Sequence, residues 1–263
     1  MTRAYASRQV LADPWLVGPL TFGPPSLAFL YSATKPSGDL GVAAAAGADV
    51  LLLTQGLDDH AHRPTLRALA AANPALPVVG SPAGAAVARE CGFADVTPLS
   101  PGSRHRAACG VTFAATQGAL VGPPWSTREN GFLITDDAAD GICAYYEPHL
   151  DYQESSVRAA MQAAGRTAVD LVVAPCTKVS LAGYPLVLAS PDAVLRLLRL
   201  LRPRVLLPLR NDVISQSGAI APAIGDSGGV EAVRAALAAD VQLAGSVRLL
   251  EPAPAGQPLA IDL

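Results

Sequence analysis

Five side chains that could do chemistry follow one apolar segment of this 263-residue chain. Residues 48–54 are apolar after a leading aspartate, a pattern typical of a buried strand. Carboxylate and imidazole groups placed after such a strand can bind a divalent metal or act as base and acid, and strand ends are where α/β proteins build their sites. Helix capping is the alternative role for these residue types. The five residues are Gln55, Asp58, Asp59, His60 and His62.

A second pair of titratable side chains ends another predicted strand, at residues 141–147. Glu147 and His149 stand at its end, and Pro148 fixes the backbone between them. This placement predicts a contribution to a site, and a solvated strand exit is the alternative.

His62 lies two residues beyond His60, so on an early helical turn it is expected to point away from His60, towards solvent.

Composition excludes several classes of protein. Hydrophobic residues make up 51% of the chain and charged residues 16%, so the chain can bury a large core and is not disordered. Its net charge of −3 argues against a nucleic-acid binder, which needs a basic face. No uncharged apolar run reaches the ~18 residues of a membrane helix. Four widely spaced cysteines predict buried thiols in a reducing compartment.

Apolar runs alternate with helical patterns along most of the chain, which predicts a layered α/β protein formed by one domain over residues 1–263. Helices are predicted at 64–72, 82–91, 155–164, 191–201 and 230–239, the fourth with Ser190 as its N-cap. Strands are predicted at 10–12, 48–54, 77–80, 110–115, 131–135, 141–147, 170–175, 205–209 and 247–250. Segments 118–125 and 218–229, rich in glycine and proline, are predicted to be active-site loops.

The segment TQGLDDH, residues 54–60, resembles the T-H-x-H-x-D-H signature of the metallo-β-lactamase superfamily. LADPW at 11–15 resembles the V-L-x-D-P strand end of its ascorbate-phosphate-lactonase-like branch, and PLR at 208–210 resembles its late P-x-H. LLTQGLDDHAHRPTL at 52–66, YYEPH at 145–149 and DPWLVG at 13–18 are similar to a branch found in photosynthetic organisms.

The resemblance implies a four-layer αββα sandwich that acts as a metal-dependent hydrolase on a small ester, lactone or phosphorylated compound. Only about a dozen residues precede the D-P motif, so part of the usual first N-terminal hairpin is expected to be missing. The implied location is the cytoplasm or the chloroplast stroma.

Departures from the signature predict a reduced metal site. Gln55 and Leu57 stand where the first two histidines would be, and only Asp59 and His60 match. The three-histidine zinc site is therefore expected to be absent. The second site could persist through Asp59 and His60, completed by Glu147 or His149. These expectations predict no dinuclear zinc and at most one weakly bound divalent metal, zinc in preference to others, at Asp59 and His60.

Arg210 replaces the last histidine of the pattern. A guanidinium has no acceptor and cannot ligate a cation. It is predicted to pair with Asp59 or Glu147 in place of the metal charge; an orientation towards solvent is the alternative.

The predicted catalytic residues are thus Asp59, His60, Glu147 and His149, with Gln55 and Arg210 in substrate binding. Asp13 is expected to converge on the same cleft. The alternative function is a metal-free member of the fold that serves as a ligand-binding or interaction module. A weaker alternative, implied by the branch resemblance alone, is a scaffold in a chloroplast or cyanobacterial assembly.

Overall fold

The computed structural model describes residues 8–22, 25–35, 40–120, 128–138, 141–211 and 213–263. The helices of the described residues are α1 (Val42–Ala45), α2 (Arg63–Ala72), α3 (Pro82–Glu90), α4 (Glu154–Ala163), α5 (Pro191–Leu201) and α6 (Val230–Ala239). The strands are β1 (Val10–Ala12), β2 (Ser32–Thr34), β3 (Val50–Leu53), β4 (Val78–Gly80), β5 (Val96–Pro98), β6 (Arg104–Arg106), β7 (Val111–Leu120), β8 (Arg128–Asp136), β9 (Cys143–Tyr146), β10 (Leu171–Pro175), β11 (Thr177–Leu181), β12 (Tyr184–Val187), β13 (Val205–Leu209), β14 (Ser215–Ser217), β15 (Ile224–Gly228) and β16 (Arg248–Leu249).

Two sheets form the centre of the molecule. One has four parallel strands in the order β1-β3-β4-β5. The other has seven strands in the order β16-β13-β10-β9-β8-β7-β6, parallel from β16 to β9 and antiparallel from β9 to β6. Smaller ribbons are formed by β12-β11-β15 and by β14-β2.

Strand β3 shows why the layers stack as they do. Successive side chains of a strand point to opposite faces. Leu51 and Leu53 pack with α1, α2 and α3, whereas Val50 and Leu52 pack against Phe113 and other side chains of the second sheet. Each of these fully buried side chains stabilises the fold by about 1.5–3 kcal/mol.

The outer face of the seven-stranded sheet packs on α4, α5 and α6, which completes a helix–sheet–sheet–helix sandwich. The predicted αββα architecture is therefore confirmed.

Helix α5 has the predicted bounds, and the Ser190 hydroxyl accepts from the Ala193 N–H at 3.3 Å as its N-cap. Among the described residues no disulfide joins the four cysteines, and three of them are buried.

Two predicted loops are partly wrong. Strand β7 extends to Leu120, and β15 occupies residues 224–228 of the second segment by pairing with β11. The partner of β15 is distant in sequence, since Gly225 pairs with Ser180 of β11, so the local glycine content of this segment was misleading. Residues 121–127 of the first segment lie outside the described residues.

Strand β1 lies at the edge of the four-stranded sheet. The expected loss of an N-terminal hairpin concerns residues that include 1–7, which lie outside the described part of the chain, so it stays a prediction.

Gly131 in β8 lies so close to neighbouring side chains that any larger residue would collide with them. A Cβ at this position would lie 2.8 Å from both the Thr116 and Tyr145 hydroxyl oxygens and 2.9 Å from Cγ of Glu147. Gly131→Ala is therefore expected to lower the free energy of unfolding by about 1–3 kcal/mol through overpacking, measured by urea denaturation.

The matched control is Gly225→Ala in β15, where the nearest atom to a new Cβ is the Ser180 hydroxyl oxygen at 3.6 Å. Its effect should stay within about 0.5 kcal/mol. Equal losses in the two variants would contradict the packing argument.

Candidate metal centre

The ends of three strands meet at one edge of the sandwich. β1 and β3 are parallel neighbours, so the residues that follow them lie side by side, and the Asp13 N–H donates to the carbonyl of Leu52 at 3.0 Å. The Asn130 N–H of β8 donates to the carbonyl of Thr54 at 3.1 Å and thereby ties the second sheet to the same loop. Strand β9 of that sheet ends one residue before Glu147.

Three side chains from these strand ends come together. Nε2 of His60 lies 3.2 Å from Nε2 of His149 and 3.5 Å from Oδ2 of Asp59. Both histidines are buried, and their rings meet edge-on. We call Asp59, His60 and His149 the trio; their ligand atoms all lie within 4.8 Å of one another.

The spacing of the trio fits a metal ion. Ligand atoms at the ~2.0–2.1 Å bond lengths of tetrahedral zinc are separated by about 3.3 Å. The two measured separations, 3.2 and 3.5 Å, bracket that value. Oδ1 of Asp59 is buried and has no hydrogen-bond partner in the part of the chain that is described. A buried carboxylate oxygen without a partner is costly unless a cation or water satisfies it.

Asp13 contacts the ring nitrogen of His60 that does not face the other trio residues. Its Oδ2 accepts from the Thr54 hydroxyl at 2.6 Å, from the Tyr146 hydroxyl at 2.9 Å, and lies 2.9 Å from Nδ1 of His60. Its Oδ1 accepts from the Thr54 N–H at 2.9 Å. A carboxylate on the far nitrogen of a histidine is the usual outer partner of a metal-bound imidazole. The convergence of Asp13 on the cleft is confirmed.

The backbone at Asp13 is itself unusual, with a φ of 42°. Aspartate is one of the few residues other than glycine that adopt this region with some frequency. The turn directs the carboxylate back over the end of β3, where its four partners satisfy it.

Charges within the cluster shift its pKa values in opposite directions. Burial opposes the charged form of His60, but Asp59 and Asp13 outweigh it and raise the pKa of His60 to about 10. Burial and the neighbouring charge of His60 lower the pKa of His149 to about 4. Burial opposes ionisation of Asp59 as well, yet His60 and His149 bring its pKa below the usual value. His149 therefore carries a free lone pair at neutral pH.

The two residues expected to replace the first signature histidines, Gln55 and Leu57, lie in different surroundings. Gln55 is buried, with Nε2 at 3.5 Å from both ring nitrogens of His149. Leu57 is 41% exposed. Only Gln55 thus contacts the trio, and its predicted role in substrate binding stays a prediction.

Glu147 is fully buried but lies outside the trio. Its carboxylate accepts from the N–H groups of His149 at 3.3 Å and Asp151 at 3.0 Å, and burial raises its pKa to about 7. The turn that it holds contains Leu150 with a φ of 56°. Glu147 therefore positions the loop that carries His149, and its catalytic role stays a prediction.

Arg210 follows β13, and its side chain is exposed. Among the described residues, Asp59 contacts His60, and Glu147 accepts hydrogen bonds from backbone N–H groups. The predicted pairing of Arg210 with Asp59 or Glu147 stays a prediction, as does its role in substrate binding.

The expectation that His62 lies at the surface was wrong. Its side chain is buried, with Nδ1 at 2.9 Å from the Thr65 hydroxyl and Nε2 at 3.3 Å from the carbonyl of Pro19. Its ring packs edge-on against Trp15 at a centroid distance of 6.1 Å. Helical spacing alone could not show that residues 14–20 fold over this side chain.

Sequence analysis missed three polar residues around the trio. Thr54 and Tyr146 bind Asp13, and each stands next to a strand end that was predicted correctly. Glu129 of β8 is half-buried, and burial raises its pKa. A hydrogen bond with Ser81 and the charge of His60 offset part of that rise. No local pattern marks Glu129, because its neighbours come from the other sheet.

Comparisons with known proteins identify the family and support the fold. A family model described as the beta-lactamase superfamily domain matches residues 4–210. The isothiocyanate hydrolase from Delia radicum gut bacteria is 14% identical with a TM-score of 0.63, covering 98% of this chain and 94% of that one. CmlA, a diiron beta-hydroxylase from Streptomyces venezuelae, is 15% identical with a TM-score of 0.54; the match covers 77% of this chain and 41% of CmlA. These two likenesses show the fold.

No curated protein matches the sequence. Among the described residues, no helix has both the length and the apolar character to cross a bilayer.

Asp13→Asn is expected to destabilise the protein because an amide nitrogen would face one or more of the four donors. Hydrogen bonds to a charged group contribute about 1.5–3 kcal/mol each, so a loss of about 2–3 kcal/mol in the free energy of unfolding is expected. Tyr146→Phe removes one of those bonds and should cost about 1.5 kcal/mol, the lower end of that range.

Asp95→Asn is the matched control, since Asp95 is exposed and its side chain makes no hydrogen bond within the described residues. Denaturant unfolding of the three variants measures the effect. An Asp13→Asn protein as stable as the Asp95→Asn protein would disprove the anchoring role.

Proposed function

We propose that this chain, which belongs to the beta-lactamase superfamily, is a hydrolase. It uses one divalent metal, zinc, bound by Asp59, His60 and His149. The observation that carries the proposal is the spacing of the trio, 3.2 and 3.5 Å between ligand atoms. Two imidazoles and one carboxylate are a common donor set for catalytic zinc, and three protein ligands leave a position open.

The charges of the residues around the proposed site support the binding of one divalent cation. Asp13 and Asp59 supply two negative charges close to His60, and His149 is a neutral donor. One divalent ion balances the two carboxylates. Bound zinc supplies a hydroxide nucleophile at neutral pH and polarises a carbonyl or phosphoryl oxygen.

The chain's own residues prepare this centre. Asp13 orients the His60 ring, Glu147 fixes the turn that presents His149, and Gln55 fills the space beside that ring. Each contact limits ring rotation, so the donors are held in place before a metal arrives.

The proposed substrate is a small ester, a lactone or a phosphorylated compound, as the family resemblance implies. The likeness to an isothiocyanate hydrolase adds a small isothiocyanate to the compounds worth testing. A nucleic-acid substrate is not proposed, because the net charge is −3.

We also propose that residues 1–263 form one domain. Val233 and Leu237 of α6 belong to the same core as α4 and α5, and β16 extends the seven-stranded sheet beyond the matched residues 4–210. The four cysteines, none of which forms a disulfide among the described residues, support a reducing compartment, cytoplasm or stroma.

The purified protein is expected to bind about one zinc per chain after dialysis against trace zinc without chelator, measured by elemental analysis and calorimetry. His149→Ala should weaken zinc binding by more than the roughly 10–100-fold that loss of an outer partner costs. His105→Ala, in the edge strand β6, is the matched histidine control and should bind as the unaltered protein does.

Two zinc ions per chain, or unchanged affinity in His149→Ala, would overturn the one-metal site. Binding of no metal at all would instead favour the alternative of a metal-free ligand-binding or interaction module.

Gln55→His is expected to raise zinc affinity at least about tenfold, or 1.4 kcal/mol, because the new imidazole starts beside the trio. Leu57→His is the control: it restores the other missing histidine of the signature, but from a position 41% exposed. Calorimetric titration of both variants tests this; a larger gain in Leu57→His would refute the placement of these two side chains.

Zinc-loaded protein should hydrolyse at least one member of a panel made of p-nitrophenyl acetate, a γ-lactone, p-nitrophenyl phosphate and allyl isothiocyanate. Chelation should abolish the activity and added zinc restore it, since the metal supplies the nucleophile. His149→Ala should be inactive and His105→Ala active. Activity that survives chelation would count against the proposal.

A further inference from the structure

A second cleft lies between α4 and α5, on the helical side of the seven-stranded sheet. Its volume is about 430 Å³, and none of the trio residues lines it. The apolar part of its wall is formed by Leu150, Leu188, Ala193 and Leu200. This volume falls within the ~300–1,000 Å³ typical of small-molecule sites.

Most charges around this cleft are paired within the protein. Nε of Arg158 donates to Glu154 at 2.9 Å, and Nη1 of Arg128 donates to Asp151 at 2.9 Å. A third pair joins Arg199 to Asp240. Each pair contributes no net charge to the cleft.

Arg196 is the exception. It is exposed on α5, lines the cleft and has no ion-pair or hydrogen-bond partner for its side chain among the described residues. The described lining therefore carries one uncompensated positive charge next to an apolar wall. A ligand of complementary chemistry has one negative charge and an apolar body.

Tyr152 adds a donor to the same place. It lines the cleft, is partly buried, and its hydroxyl has no hydrogen-bond partner among the described residues. Tyr152 and Arg196 line the same cleft, so the hydroxyl and the guanidinium face the same space.

We propose that this cleft binds a small carboxylate with an apolar body. The planar guanidinium of Arg196 matches a carboxylate in a bidentate arrangement, and the Tyr152 hydroxyl donates to the same oxygens. The chain of the ligand packs on Leu150, Leu188 and Leu200. The inference is independent of the proposed hydrolase activity, because no member of the trio takes part.

Sodium octanoate, used below its micellar concentration, is the probe for calorimetric titration of the full chain. Saturable binding of about one octanoate per chain is expected. Arg196→Gln should weaken binding about tenfold or more, because a charge-assisted bond is lost, and Tyr152→Phe should weaken it severalfold. Arg67→Gln on α2, an exposed helical arginine in the opposite layer, is the control and should bind as the unaltered protein does.

Three further ligands test separately how the negative charge, the apolar chain and the carboxylate head group contribute to binding. Acetate should bind more weakly than octanoate because it lacks the apolar body, and octylammonium should not bind because its charge is reversed. Equal octanoate affinity in Arg196→Gln and the unaltered protein, or binding of octylammonium as tight as that of octanoate, would overturn the proposal. Tighter binding of octyl phosphate than of octanoate would overturn the assignment to carboxylates.

Discussion

The carboxylate of Asp13 is the group on which the arrangement of the site depends. It accepts hydrogen bonds from the backbone and hydroxyl of Thr54 and from Tyr146, and it contacts Nδ1 of His60. These partners come from the ends of β3 and β9, one in each sheet. A single buried carboxylate therefore fixes both sheets and one proposed ligand, and each of its donors would lose a charged acceptor without it.

The sandwich makes this convergence possible. Because side chains of β3 alternate between the helices and the second sheet, the strand is held on both faces and its end is rigid. The loop after β3 carries Asp59 and His60, and the turn after β9 carries His149. The trio thus spans the seam between the two sheets, and the packing of the two sheets sets its spacing.

The two residues expected to replace the first signature histidines lie in different surroundings. Nε2 of Gln55 lies 3.5 Å from Nδ1 of His149, while Leu57 is 41% exposed. Glu147 points its carboxylate at backbone N–H groups of the following turn. What remains within reach of one ion is two imidazoles and one carboxylate, with Asp13 behind them, a set suited to one metal rather than two.

Patterns that depend on near neighbours were read correctly from the sequence. Helix α5 begins and ends at the predicted residues because Ser190, Pro191 and the apolar spacing are all local signals. Strands β1 and β13 also have their predicted bounds. The resemblance to the signature supplied the family and identified Asp59 and His60 as candidates.

Strands β11, β12 and β15 were not predicted. Most residues of β12 and β15 are exposed, so they lack the apolar alternation of a half-buried strand. The pairing of β15 with β11 also joins distant segments, such as Gly225 with Ser180. The burial of His62 under residues 14–20 was likewise invisible in helical spacing. Only the tertiary structure decided that His149 faces His60 while Glu147 faces the backbone. The direction of a side chain after a strand end is set by single backbone angles, such as those of Asp13 and Leu150, and by the contact between two sheets.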